Sequence, residues 1–219
     1  MFRIKICGIT TPDDARMVAA AGADAVGLNF YARSPRSIGL DTARQIIDAL
    51  PSGVVRVGLF VNSGSEDVCR TFDRLGLNLI QLHGDEPPKY LAELSVRPVM
   101  RAFRLDEAGP EPVIAYLQQC RGLSCLPRLV LLDAHQKGIY GGTGRVADWA
   151  TVALYAGERR LPPLVLAGGL TPDNVAQAIR TARPAAVDTA SGVETNPGCK
   201  DPGLVGAFVR AAREALRSR

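Results

Sequence analysis

The stretch RIKICGITTPDDARMVAAAGADAVGLNF, residues 3–30, holds the repeat on which the fold reading turns. Arg3–Cys7 is a short β-rich run. Thr11-Pro12-Asp13 follows, with a capping side chain and a proline suited to a first helical turn. Asp14–Ala21 is Ala-rich and amphipathic, and Ala25–Phe30 is strand-like again. Two strands joined through a helix imply parallel pairing, because a tight turn cannot return the chain to the same edge in the same direction.

Working outward, the unit recurs. Strand-like runs are Val54–Phe60, Asn78–Leu82, Pro98–Phe103, Leu129–Asp133, Leu164–Ala167 and Ala185–Thr189. Helix starts fall at Asp41-Thr42, Ser65-Glu66-Asp67, Glu86-Pro87-Pro88, Glu111-Pro112, Thr171-Pro172-Asp173 and Lys200-Asp201-Pro202. Eight such units predict a single α/β domain over residues 1–219, a (β/α)8 or TIM barrel of eight parallel strands with outer helices. An open doubly wound sheet would place a Gly-rich phosphate turn after the first strand. Here that position reads Cys7-Gly8-Ile9-Thr10, and the glycine pairs come late, after the sixth and seventh strands, which suits a barrel. Residues 104–112 and 121–128 read as loops flanking the fifth helix, the second as a local insertion.

Composition narrows the function classes. The chain has 219 residues, 26 basic and 22 acidic, for a net charge of +4. The charges are scattered and aromatics make up 5%, so no basic, aromatic-studded face for nucleic acid is expected. No apolar run approaches the roughly 18 residues of a membrane span. The five cysteines are an odd count without a CxxC pair, which favours reduced thiols in a cytoplasmic protein, and no targeting peptide is expected before the first strand. No His/Cys/Asp cluster has metal-ligand spacing.

Polar residues gather where barrel strands end. Residues two apart share a face, so Lys5 pairs with Cys7 and Gln81 with His83. Asp133 and Asp188 end the sixth and eighth strands, and Asn29 and Arg101 lie near the ends of the second and fifth. The C-terminal rim of parallel strands is where a barrel carries its active site.

The segments Lys5-Ile6-Cys7-Gly8-Ile9-Thr10, Ser34-Pro35-Arg36, Val57–Asn62, Gln81-Leu82-His83-Gly84-Asp85-Glu86 and Leu132-Asp133 resemble the phosphoribosylanthranilate isomerase family. So do Gly141-Gly142-Thr143-Gly144, Gly168–Val175 and Asp188–Glu194, all in family order. One departure is Ala190 before Ser191, where the family often has a second serine. The resemblance implies an Amadori rearrangement of N-(5-phosphoribosyl)anthranilate in tryptophan biosynthesis. That reaction needs a general acid and a general base but no cofactor. By resemblance Cys7 is the base and Asp133 the acid. A free thiol is mostly protonated at neutral pH, so positive charge near Cys7 would help, and Lys5 shares its face. Arg36 is implied to hold the anthranilate carboxylate in bidentate fashion. Asp188 either orients substrate or Arg36, or is a structural ion-pair partner. His83 is expected to line the pocket. Gly168, Gly169, Ser191 and Gly192 are the implied phosphate loops. Thr143 and His135 are assigned to a sixth loop, whose composition fits either a lid over the substrate or a merely flexible loop. The expected partner is the small-molecule substrate, with neither nucleic acid nor membrane, and monomer or homodimer is left open. Cys69, Cys120, Cys125 and Cys199 are read as bystanders.

The same residues weigh against neighbouring readings. A histidine-pathway sugar isomerase would carry two aspartates as its acid–base pair, the synthase acting on the next metabolite a lysine-based acid system, and a non-catalytic phosphate-binding module would need neither Cys7 nor Asp133.

Overall fold

The structure is a computed structural model, and it describes residues 2–105, 109–133, 149–156 and 160–218. Eight strands, β1 (Ile4–Cys7), β2 (Ala25–Asn29), β3 (Val55–Phe60), β4 (Leu79–Leu82), β5 (Val99–Arg104), β6 (Leu129–Asp133), β7 (Leu164–Ala167) and β8 (Ala186–Thr189), close into one barrel in sequence order. Every neighbouring pair is parallel, and the first and last strands join in the register Lys5↔Asp188. Around them lie α1 (Pro12–Ala20), α2 (Leu40–Ala49), α3 (Ser65–Leu75), α4 (Pro88–Glu93), α5 (Glu111–Gly122), α6 (Trp149–Ala156), α7 (Val175–Ala182) and α8 (Pro202–Arg217). A small antiparallel hairpin, β9 (Glu194–Asn196) and β10 (Cys199–Lys200), is inserted between β8 and α8.

The helix starts obey local chemistry unevenly. Thr11 caps α1 by accepting from the Asp14 amide at 3.1 Å, and Asp201 caps α8 by accepting from the Leu204 amide at 2.8 Å. Gly39 and Gly64 occupy the cap positions of α2 and α3, so Asp41 and Ser65 lie inside those helices, where Asp41 favours the dipole. Residues 121–128, read as a loop, begin inside the fifth helix. Arg121 and Gly122 complete α5, and the amides of Leu123 and Cys125 close onto the Gln119 and Cys120 carbonyls. Likewise Arg104 ends β5, and Glu111 and Pro112 open α5.

Two apolar layers form the core. Phe2, Ala25, Val57, Leu79, Met100, Ala102, Leu129, Leu131, Val165, Ala167 and Ala186 fill the lower barrel. The opposite strand faces pack against the helices through residues such as Ile6, Val26, Leu28, Ile80, Leu132 and Val187. Each fully buried side chain of this size contributes about 1.5–3 kcal/mol, so strand parity is strongly fixed. That parity corrects the reading of Arg101. With Met100 and Ala102 inside, Arg101 points to the helix layer, over the rings of Phe103 (4.8 Å) and Tyr116 (5.4 Å). It donates to the carbonyls of Leu82, Ala102 and Gly84 at 3.1, 2.5 and 2.9 Å. It therefore braces β4 and β5 and is not part of the mouth. Among the described residues no helix is long and apolar enough to cross a membrane.

Candidate active site

The apolar filling stops at the level of Lys5. Its side chain is fully buried, and its ammonium donates to Asp188 Oδ1 at 2.9 Å. Burial works against the cation, but the carboxylate of Asp188 and the sulfur of Cys7 outweigh it, and the pKa of Lys5 is raised. Burial pushes Asp188 up in turn, while Lys5 pulls it down. Asp188 forms the ion pair with Lys5, and Arg36 is bonded to Glu194 instead of to Asp188.

Cys7 ends β1 on the same face as Lys5 and is buried at 7% exposure. Lys5, Arg36 and Lys200 each interact electrostatically with its thiol. Arg36 reaches the mouth from the β2–α2 loop, which Asn29 holds down. The Asn29 amide donates to Ser34 Oγ at 3.0 Å and its carbonyl oxygen accepts from the Tyr31 amide at 2.9 Å. Ser34 Oγ in turn accepts from the Arg36 amide at 3.1 Å. The guanidinium of Arg36 is gripped by Glu194, with Nε to Oε1 at 2.8 Å and Nη2 to Oε2 at 2.5 Å. Arg36 is thereby raised, with that hydrogen bond the largest influence.

Across the mouth, Asp133 ends β6 and is partly exposed, with its Oδ2 3.9 Å from His83 Nε2. His83 Nδ1 lies 3.3 Å from Gln81 Nε2. Burial pushes the imidazole down to about 4, with Asp133 opposing and Arg104, Lys5 and Arg101 adding to the fall. His83 is therefore neutral at neutral pH. Its loop is fixed by the buried Glu86, which accepts from the amides of Asn62 at 2.8 Å and Gly84 at 3.0 Å.

Gly168 and Gly169 follow β7 with φ of +96° and +63°, left-handed values that a side chain would strain. Ser191 and Gly192 form a short 3-10 turn after β8. A Cβ on Gly192 would collide with the Leu170 carbonyl, which also accepts from Thr189 Oγ1 at 2.7 Å. The two glycine loops are thus packed backbone against backbone. Gly141, Gly142, Thr143, Gly144 and His135, the expected sixth loop, lie outside the described residues. Among the described residues no group of three His, Cys, Asp or Glu side chains is arranged to hold a metal.

Cys7, Arg36, His83, Asp133, Asp188 and both glycine loops therefore sit at the C-terminal ends of the strands or in the loops that follow them. Sequence reasoning missed Glu194 and Lys200 as site members. The signal was available: Asn196-Pro197-Gly198 between two short runs marks a tight hairpin, and that hairpin carries Glu194 and Lys200 on its two arms.

Comparison with known proteins agrees with this geometry. Residues 4–211 match the family model of N-(5'phosphoribosyl)anthranilate (PRA) isomerase. The N-(5'-phosphoribosyl)anthranilate isomerase of Trichlorobacter lovleyi is 47% identical over 99% of this chain and 100% of its own. That of Pseudomonas fluorescens is 45% identical over 99% and 98%. The crystal structure of phosphoribosyl anthranilate isomerase from Thermotoga maritima superposes with a TM-score of 0.84 at 39% identity, covering 98% of this chain and 100% of that one. A second structure of the enzyme, in complex with reduced 1-(o-carboxyphenylamino)-1-deoxyribulose 5-phosphate, gives 0.82 at 37% identity over 98% and 100%. Barrel, rim and relatives agree along almost the whole chain, and the protein belongs to the N-(5'-phosphoribosyl)anthranilate isomerase family.

Proposed function

We propose that this chain isomerises N-(5-phosphoribosyl)anthranilate to 1-(2-carboxyphenylamino)-1-deoxyribulose 5-phosphate in tryptophan biosynthesis, with Asp133 as general acid and Cys7 as general base. The observation that carries the reading is the setting of Cys7, a thiol at a strand end among three cations, with a carboxyl group on the opposite side of the same mouth.

Protonated Asp133 gives its proton to the ring oxygen as the C1–O bond breaks, and the anilino nitrogen lone pair completes an iminium. C2 is then acidic. The Cys7 thiolate removes the C2 proton, and the electrons flow back to nitrogen to leave an enolamine. Tautomerisation to the ketone completes the isomerisation without change of oxidation state overall, and the two groups end with their protons exchanged through solvent. Lys5, Lys200 and Arg36 bring positive charge to the part of the mouth where Cys7 sits. Arg36 holds the anthranilate carboxylate, the neutral His83 lines the pocket, and Gly168, Gly169, Ser191 and Gly192 surround the phosphate. Asp188 acts through Lys5. The chemistry asks for no cofactor, since the substrate's own nitrogen is the electron sink.

The test is direct. Purified protein is given anthranilate, phosphoribosyl pyrophosphate and the upstream transferase, and loss of the fluorescent substrate is followed. Turnover that disappears with the protein omitted is the expected result, and absence of turnover with active transferase present overturns the reading.

A further inference from the structure

The proposed chemistry uses Arg36 and the charge of Lys200, and leaves Glu194, the partner of both, without a task. Glu194 and Lys200 are buried, with side-chain exposures of 3% and 0%, and the carboxylate touches the guanidinium along one edge only. Arg36 Nε donates to Oε1 at 2.8 Å and to Oε2 at 3.1 Å, and Nη2 donates to Oε2 at 2.5 Å. A guanidinium has five N–H groups in one plane. Glu194 occupies the Nε–Nη2 edge, and among the described residues nothing accepts from Nη1 or from the second Nη2 hydrogen, which form an end-on fork. Arg36 retains 20% exposure, so the cluster is not sealed.

Glu194 is itself held from behind. Its Oε1 accepts from Lys200 Nζ at 2.6 Å and from the Gly198 amide at 3.2 Å. Lys200 spends its other two donors on the carbonyls of Cys7 (2.7 Å) and Ala190 (3.2 Å). One ammonium thus fixes the position of Glu194 against the end of β1 and against the loop after β8. Gly8, at φ +74°, lies where any side chain would collide with Arg36 Cδ, so the stem of Arg36 has a defined lane. The three charges sum to one net positive charge, which matches one ligand carboxylate.

We infer that Glu194 is a positioning residue that sets the site's selectivity for an aryl carboxylate, by holding Arg36 so that its free end-on fork faces the ligand. The inference rests on the reading of Arg36 as the carboxylate's partner. A long side chain held in advance spares the ligand the ordering it would otherwise impose. A parallel two-bond grip is also specific in direction, where a point charge is not.

Charge and geometry give opposite signs for Glu194→Gln. Removing a negative charge beside Arg36 leaves the cluster at two positive charges, so if charge alone mattered, KM for the carboxylate-bearing substrate would fall. If orientation matters, the amide replaces one acceptor with a donor, the two-bond grip is lost, and KM rises. The expected result in the full-length protein is a KM increase of about tenfold or more with kcat changed by less than about threefold, the pattern of lost binding interactions. Reduced 1-(o-carboxyphenylamino)-1-deoxyribulose 5-phosphate should weaken in parallel. Its counterpart lacking the carboxylate, and inorganic phosphate, should bind as to the unaltered protein. Glu194→Asp keeps the charge while shortening the reach, and should raise KM in the same direction; it carries the test if Glu194→Gln does not fold. An unchanged or lowered KM, or an equal loss of all three ligands, overturns the inference. Arg36→Met separates the two levels. If it leaves discrimination between the two analogues intact, the reading of Arg36 falls and this inference with it; if it abolishes discrimination while both Glu194 variants keep it, only the positioning role falls.

Discussion

Cys7 lies on the same barrel face as Lys5, and Asp133 sits across the mouth with its Oδ2 3.9 Å from His83 Nε2. Cys7→Ala should reduce turnover by ~10²–10⁴-fold, the usual weight of a proton-transfer group, while inorganic phosphate binding and the circular dichroism spectrum stay unaltered. Near-normal turnover would remove Cys7 as the base. The two groups also act in order, because C2 is not acidic until the ring is open. Asp133→Asn should therefore leave bound substrate as a closed furanose without deuterium exchange at C2. Cys7→Ser should allow opening and slow the exchange. Fast exchange on the Asp133→Asn protein would contradict the assignment of the acid. His83 supplies a third measurement at this scale. Its pKa is about 4 in the folded protein against 6.5 for the ordinary side chain, so the unfolded chain takes up the proton first. Stability attributable to His83 is present above about pH 6.5 and is lost as pH falls toward 4. Urea midpoints across that window should decline less steeply for His83→Gln than for the unaltered protein. Equal slopes would mean that the imidazole is not held neutral.

The loops after β7 and β8 work as a unit, since Gly192 packs against the Leu170 carbonyl and Thr189 bonds the same oxygen. Gly192→Val should force the two loops apart. The expected outcome is a higher KM and weaker inorganic phosphate binding, measured by competition, with the far-UV spectrum retained. Unchanged phosphate affinity would place the phosphate elsewhere. At this scale the sequence is a good guide to strands and a poorer one to what the loops do. Parity and turn chemistry are local, so Lys5 and Cys7 on one face, the Thr11 cap and the Asp201 cap follow from neighbours in the chain. Arg101 was misjudged because its parity depends on which face lies inside, and both faces of β5 carry apolar residues, Val99 and Phe103 on one and Met100 and Ala102 on the other. The bond from Arg36 to Glu194 spans 158 residues and depends on barrel closure, which no local pattern encodes. Asp188 was undecidable for the same reason: Lys5 is 183 residues away in sequence.

Over the whole molecule, the Lys5–Asp188 pair sits on the seam where the first strand meets the last. Removing one partner leaves the other buried without compensation. Lys5→Met should cost about 3–5 kcal/mol of stability, read from urea unfolding. Burial already raises Asp188, so the deficit should shrink at low pH, where its carboxyl takes a proton. Combining Lys5→Met with Asp188→Leu should recover much of the loss. A loss below about 1 kcal/mol in the single variant would mean that the seam is held by the strand ladder and apolar packing.

The position of Lys200 has a consequence for how the protein comes into being. Its ammonium bonds the carbonyl of Cys7, 193 residues earlier. A nascent chain leaves the ribosome from its N-terminus, so the end of β1 waits for 193 further residues to be made before this contact can form. No half of the barrel contains a finished mouth. Ribosome-stalled chains ending before β10 should lack turnover even after their first strands have folded, and activity should appear only once β10 has emerged.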